Sequence, residues 1–529
     1  MKGLALHHYY KNEKYCCRPS YRLSFAKRRF ILRVIGALAA LGSLKTIHAS
    51  EYYWYAHHIN NVHTYASSAR ASCMAAAQDN EQKNYPSLRN SRIISLDFYS
   101  SGYSCKYEYD IYNGLGNFQA TGTSRVAIRR KGESCRPGTR INISIGECNH
   151  DEQKGPPQES ICSIAGNPIN FAIGNKIQIE IDYSPVGGSA LIFTRSYNSF
   201  DGLWRHNFST YLRFAGTEYA SLVRHDGRES FFTISGTTIT PTSSDLGVLT
   251  KAGTGWQYVS ADNEQFTFDT AGKLTHWSNT QGKSYQLTYS GNQITVTDNL
   301  GNSLTLTEDA DRQPLTLTAP STQVTYGYNA DKRLTSVTRT LGGQTTQRQF
   351  HYEVPDKPDL LTGITDERGV RYATWAYDDQ GRAVSSEHAD GADRVGVAYN
   401  TDGTVSVTNE LGKVAKYSFQ YIKGVKRITA IDGEPSPNCP SSNSTFTYDD
   451  RGLLKTKTDN KGNLTTYDYN GRGLEVSRTE ASSTPHARTI TTKWHLTKFL
   501  PLEVTEPGRI TYYQYNGHGG ILGRTLTEP

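Results

Sequence analysis

Residues 448–474 read YDDRGLLKTKTDNKGNLTTYDYNGRGL, and this stretch decides the fold. It opens with Y-D-x-x-G-x-L at Tyr448, Asp449 and Gly452, passes through a charged segment into a second D-x-x-G turn, and begins again at Tyr469. Weaker copies start at Phe268 (FDTAGKL), Tyr289 (YSGNQI), Tyr328 (YNADKRL), Tyr377 (YDDQGRAV, with Asp378 and Gly381), Tyr399 (YNTDGTV) and Tyr515 (YNGHGGIL). The step is 21 residues from Phe268 to Tyr289 and from Tyr448 to Tyr469, and 22 from Tyr377 to Tyr399. A fixed period of this length marks a repeat architecture. It also places function in an extended surface rather than in one catalytic pocket.

One repeat can be read physically. Tyr with alternating Leu, Val and Thr suits a pleated, half-buried surface. The Asx residue bonds its own backbone and the Gly accepts positive φ, so the phrase is a tight turn between two strands. A lone hairpin is marginal in water, and the repeats must pair edge to edge. The expected product is a mainly β fold, a long antiparallel sheet that curls as its twist accumulates. Two Met against 35 Tyr and 47 Gly agree with strands and turns rather than helices. One short helix is expected, at Ser67 to Gln78 (SSARASCMAAAQ).

The first 49 residues read as an export signal. Lys27, Arg28, Arg29 and Arg33 precede an apolar run from Val34 to Leu44, and Ile47-His48-Ala49 offers a cleavage site before Ser50. The run is shorter than a bilayer-spanning helix needs. The expected mature chain therefore has no membrane span and is periplasmic, secreted or on the cell surface. The signal also carries the basic charge. Ten Lys and Arg against one acid fall in residues 1–49, so the formal +7 becomes 47 basic against 49 acidic residues, about −2, in the remainder. The electrostatic footprint of a nucleic-acid binder is missing, and no nucleic-acid partner is expected.

Six cysteines follow the signal, five of them between Cys73 and Cys162. Outside the cytoplasm such clustering indicates a disulfide framework. Cys73 on the expected helix can meet Cys105 on the strand-like CKYEYDIY, and Cys135 can meet Cys148 across RPGTRINISIGE. Cys162 and Cys439 stand outside these two pairings. Four segments result: the signal (1–49), a Cys-stapled α+β domain (50–160) ending in the hydrophilic HDEQKGPPQES, a β-rich module (161–245), and the repeats (246–529). EVPDKPD (353–359) and DGEPSPNCPSSNS (432–444) read as longer loops between hairpins.

Chemical motifs are sparse. TDNKGN (458–463) and NTDGT (400–404) look like calcium loops but lack the bidentate Glu after the Gly, so Asx-turn chemistry explains them. His57, His58 and His63 form the one histidine cluster and read as an exposed aromatic-rich segment. Cysteine and histidine spacings of a metal site, Walker-type loops, G-x-S-x-G and H-E-x-x-H do not occur. No catalytic, cofactor-binding or metal-binding residue is assigned, and an enzyme is not expected.

The repeats resemble the YD repeats of Rhs proteins, bacterial relatives of the teneurin shell and of the C subunits of insecticidal toxin complexes. Two stretches add to the resemblance. AGNPINFAIGNKIQIEIDYSPVGGSALIFTRSYNS (165–199) is similar to the domain of unknown function that precedes YD repeats, and RYATWAYDDQGRAVSSEHADGADRV (371–395) is similar to a typical Rhs segment. The resemblance implies a spiral shell that encloses a C-terminal toxin and releases it by self-cleavage near an Asp-Pro-x-Gly-Arg motif. That motif and a toxin domain do not occur here, so the chain reads as the N-terminal part of a shell, too short to close it alone. A partner chain completing the shell, or a separately encoded toxin, is the partner this implies. The alternative is a surface adhesin that binds glycans through the Tyr-rich sheet.

Overall fold

The computed structural model describes residues 53–57, 63–66, 73, 77, 88–99, 102–112, 117–131, 140–142, 147–149, 151–156, 163–185, 189–215, 217–433 and 442–528, all within one compact unit, Tyr52–Pro529. The candidate signal lies outside them. Strands Tyr53–His57, His63–Ala66, Leu88–Tyr99, Gly102–Tyr112 and Phe118–Lys131 make one antiparallel sheet. Cys73 and Ala77, the two described positions of the expected helix, are helical and buried, and Cys73 is disulfide-bonded to Cys105 with 5.8 Å between Cα atoms. Cys148 lies on strand Glu147–Asn149, opposite Ile141; Cys135, Cys162 and Cys439 lie outside the described residues.

Residues 164–241 form two small meanders. Five strands end at Trp204–His206, and four more run from Tyr211–Ala215 to Thr238–Pro241. This body is the plug. The rest of the described chain is one ribbon of 26 antiparallel strands, from Val248–Ala252 to Ile521–Thr527, each paired with its neighbours in sequence. Alternation decides which side of the ribbon is buried. Ile294, Val296 and Asp298 point inward from Gln293–Asp298, and Leu304 and Leu306 from Ser303–Glu308.

The plug supplies the core that the ribbon lacks alone. Phe193, Tyr197, Trp204 and Phe208 are buried in one cluster with ribbon residues from Leu249 to Trp375. Ala165, Ile169 and Phe171 share a second cluster with ribbon residues from Ala383 to Phe446. A body this small touches so many strands only from their concave side.

The motif tyrosines tie hairpin to hairpin. Each donates its hydroxyl to a carbonyl at or near the start of the second strand of the preceding hairpin: Tyr289 to Leu274, Tyr328 to Pro314, Tyr377 to Leu361, Tyr399 to Ala383, Tyr448 to Ile428, Tyr469 to Leu454 and Tyr515 to Pro501, all at 2.7–2.8 Å. Phe268, the first copy, has no hydroxyl and is buried in the core cluster.

Two outcomes follow for these bonds. Tyr328→Phe and Tyr377→Phe keep the ring but leave a carbonyl unpaired, so each lowers stability by about 1–2 kcal/mol, read as a lower urea midpoint. Burial pushes the Tyr448 hydroxyl from 10.0 up to about 12, and Tyr417 likewise to about 12. The unfolded chain deprotonates first, so this stabilisation is complete below pH 10 and is lost as pH rises toward 12. Urea midpoints should fall over that window, in step with tyrosinate absorbance.

Candidate functional site

Turns alternate between the two rims of the ribbon, and all eight phrases found in the sequence fall on one rim. Phe268, Tyr289, Tyr328, Tyr377, Tyr399, Tyr448, Tyr469 and Tyr515 each end an odd strand counted from Val248–Ala252. In the phrase at Tyr377 the Asp378 carboxylate accepts the backbone N–H groups of Gln380 and Arg382, and Gly381 has φ 79°. Asp449 accepts those of Arg451 and Leu453, with Gly452 at φ 87°. The same Asx turn recurs on the far rim, at Asp298 and Asp459, without the tyrosine bond. The tyrosine, rather than the Asx-Gly turn, therefore distinguishes the two rims.

The plug grips the tyrosine rim of the first winding. Leu212 N–H bonds the Gly272 carbonyl at 2.9 Å, Trp204 N–H the Gln313 side chain at 3.0 Å, and Tyr197 Oη the Asp359 carbonyl at 2.6 Å. The Ala383 N–H reaches the Gly174 carbonyl at 2.9 Å, and the short helix Asp151–Gln153 ahead of the plug adds a bond from the Lys426 N–H to the Gln153 side chain at 3.0 Å. Behind this rim lies a buried polar core. Arg195 pairs with Asp182, which also accepts the Tyr326 hydroxyl at 2.8 Å, and the guanidinium lies over the Trp204 ring. Both charges are buried, so losing either partner alone costs about 3–5 kcal/mol. Lys176 is likewise buried, with Nζ bonding the Asn167 carbonyl and Gln178 at 2.7 Å and sitting 4.0 Å above Trp375. Burial holds its pKa well below the lysine range, opposed only in part by Glu180.

The ribbon then returns to its own start. Asn263, on the far rim, is buried and clamps the Phe499 backbone through both halves of its amide, at 2.9 and 3.0 Å, across 236 residues. Leu246 packs into the turn at Gly473, where a Cβ would lie 2.7 Å from its Cδ2, and Gly519 and Gly520 meet Thr280. Each contact joins turns separated by 21 strands. At 4.7–4.9 Å per strand the winding is roughly 100 Å around. Its tyrosine rim rests on the far rim of the winding before it. Further along, the far rim of the first winding is uncovered, with Leu300 63% and Leu411 78% exposed, and Leu341, Val370 and Val414 exposed beside them.

Several of these residues carry no motif. Tyr352 precedes the 353–359 loop and accepts the Trp204 indole N–H, and Trp494 donates its own indole N–H to the Glu475 carbonyl at 2.7 Å, standing in for a tyrosine. Glu308 occupies another tyrosine position and meets His206 of the plug at 3.2 Å. The signal for Trp494 was available, since it is an aromatic residue 21 before Tyr515. His57 stands opposite His63 in a strand pair, and His58 lies outside the described residues. Among the described residues no group of three His, Cys, Asp or Glu side chains is placed to hold a metal, and no helix is long and apolar enough to cross a membrane.

Removing the amide clamp loosens one winding from the next. Asn263→Ala leaves the Phe499 peptide unpaired, at a cost of about 2–4 kcal/mol. Amide hydrogen exchange in residues 495–527 should quicken roughly tenfold or more, while residues 314–377, held by the plug, keep their protection.

Two family models match the chain. A domain of unknown function (DUF6531) covers residues 166–232, most of the plug, and the RHS Repeat covers residues 448–485. No curated protein matched. Among solved structures, TcdB2-TccC3 without its hypervariable C-terminal region is similar over 82% of this chain and 27% of its own, at 9% identity and a TM-score of 0.35. The Photorhabdus luminescens Tc holotoxin pore is similar over 86% of this chain and 28% of its own, at 12% identity and a TM-score of 0.26. A porin-like protein from Bacteroides uniformis is similar over 49% of this chain and 92% of its own, at 13% identity and a TM-score of 0.12. The chain thus spans about a quarter of the length of the two toxin chains. Both family models, with the tyrosine-led turns aligned on one rim of a single winding ribbon, support an assignment of the chain to the Rhs/YD-repeat proteins.

Proposed function

We propose that this chain is an exported, non-enzymatic scaffold: the plugged end of a toxin-encapsulating shell used in competition between bacteria. The observation that carries the reading is the asymmetry of the two rims. The plug covers the tyrosine rim of the first winding, whereas the far rim stays open and apolar beyond Thr280, where the second winding leaves it. A wall built this way is blocked at one end and extendable at the other. Past Phe446 no plug residue shares a core cluster with the ribbon, and the strands from Leu454–Thr458 onward keep half-exposed or exposed side chains on both faces except at Ile490 and Thr511. That leaves wall available for cargo.

The partner that fits is a chain bearing further YD repeats, with a toxin on it or encoded nearby. A second copy fits poorly, because its tyrosine-rim turns are already held by its own plug or its own first winding. Glycan binding through rows of tyrosine is the weaker reading, since the motif hydroxyls are spent on backbone carbonyls.

The DNA beyond the codon for Pro529 tests the proposal. Further YD repeats and an Asp-Pro-x-Gly-Arg segment, in any frame or in the adjacent gene, are expected; unrelated sequence would overturn it. Light scattering gives a second check: the purified chain mixed with a chain bearing further YD repeats should form a complex, and failure to associate would count against the proposal.

A further inference from the structure

Between the plug and the first strands of the ribbon lies a cleft of about 180 Å³ that the scaffold reading does not use. Its ribbon side is aromatic. Trp277 and Tyr285 are stacked with centroids 4.6 Å apart and planes 16° from parallel, and Phe266 extends the wall. Trp277 is only half-buried, so the wall is reachable.

Two polar groups face this wall with bonding capacity to spare. Glu264 accepts the Trp277 indole N–H on Oε1 at 3.2 Å, and its Oε2 bonds no described residue. The His225 ring also bonds no described residue, although its backbone N–H is fixed on Thr210 Oγ1 at 3.2 Å. Burial pushes the His225 pKa down, toward the neutral imidazole, and the Glu264 pKa up. The neutral imidazole offers one donor and one acceptor. Arg224, the only basic side chain lining the cleft apart from His225, is neutralised by Asp245 at 3.0 Å and holds the Tyr258 hydroxyl at 2.6 Å.

These features narrow the occupant. An anion would need a free cation, and the Arg224 charge is already paired with Asp245. A metal ion would need several free carboxylates, and the lining has one. A flat apolar wall edged by an acceptor and an imidazole suits a molecule with one apolar face and hydroxyls around it. The volume is below the roughly 300–1,000 Å³ of drug-sized pockets, which limits the occupant to a single ring.

We propose that the cleft is a binding site for one neutral sugar ring, stacked on Trp277 and held at its hydroxyls by Glu264 and His225. The site does not depend on the toxin-shell reading and survives its failure. It also differs from glycan binding along the repeat sheet, which would use exposed residues such as Tyr421 and Tyr512.

The test is titration of the purified full chain with glucose, galactose, mannose and N-acetylglucosamine, followed by tryptophan fluorescence and saturation-transfer NMR. At least one sugar should give a saturable response. His225→Ala and Glu264→Gln should each weaken it roughly three- to tenfold, the range one hydrogen bond supplies, without moving the unfolding midpoint. Trp277→Phe should remove the fluorescence change while NMR still reports weakened binding, and Tyr421→Ser with Tyr512→Ser should leave both unchanged. The proposal is overturned by silence from all four sugars, by a response indifferent to His225 and Glu264, or by binding of N-acetyl-tryptophanamide in their place. That last result would make the cleft a seat for a protein side chain.

Discussion

The hydrogen bond from a repeat tyrosine to the backbone of the preceding hairpin is the interaction on which the ribbon depends. Ladder bonds alone hold neighbouring strands but do not dictate how a long sheet bends. Most of these tyrosines sit where the register slips by one residue, as at Gly327/Tyr328, Ala376/Tyr377 and Gln514/Tyr515. A bulge of this kind locally disrupts the ladder and sharpens the bend. The hydroxyl reaches across to a carbonyl 14–20 residues upstream and satisfies it. Tyr289, Tyr328 and Tyr377 pack on one core cluster, and Tyr399 and Tyr448 on the other, so these bonds gather the concave face. Repeated hairpin after hairpin, a bond confined to one face gives steady curvature, and 21 strands complete the circuit.

Curvature creates a cavity that a bare ribbon cannot fill, and the plug answers it with unusual chemistry for an interior. Its central strands bring Glu180, Asp182 and Arg195 against Tyr326, Arg339, Arg348 and Tyr372. Replacing such a network with apolar side chains is often neutral or stabilising, so its value here is better sought in registration. Each charge has partners on both bodies, and a plug rotated by one hairpin would strand several of them. The apolar contacts, Trp204 edge-on to Phe350 and Phe171 against Tyr417, contribute burial but are less selective about position.

The repeat phrase, its turn chemistry and the curling sheet were legible because they are local: a tyrosine, an Asx and a Gly at fixed offsets. The Cys73–Cys105 bridge was legible for a related reason, since clustering left few partners within reach. What stayed hidden is long-range. Nothing around Asn263 distinguishes it from other turn asparagines, and its role appears only when the chain has travelled 236 residues to Phe499. Trp494 and Glu308 were missed because they keep a position in the repeat while changing its letter. At Glu308 the letter changes where the plug brings His206 to that turn, and the carboxylate meets the imidazole. Lys332 makes the same point in reverse, holding positive φ in the glycine slot of its turn.

The tyrosine rim has one geometry and two kinds of neighbour. In the first winding it binds the plug; in the second it binds the far rim of the first. Side-chain amides bonded to backbone and apolar residues at glycine notches serve at both: Gln153, just before the plug, takes the Lys426 N–H, the rim's own Gln313 takes the plug's Trp204 N–H, and Asn263 and Leu246 act from the far rim. Backbone at a turn is presented alike in every repeat, whatever its side chains, so a rim recognised through backbone can be stacked indefinitely with little demand on sequence. Such a wall tolerates drift in its exposed letters, and only the inward tyrosines and the few clamps are constrained. The weak similarity among the repeat copies in this chain, where Tyr289 and Tyr328 share little but the aromatic and the Asx region, is what that kind of assembly permits.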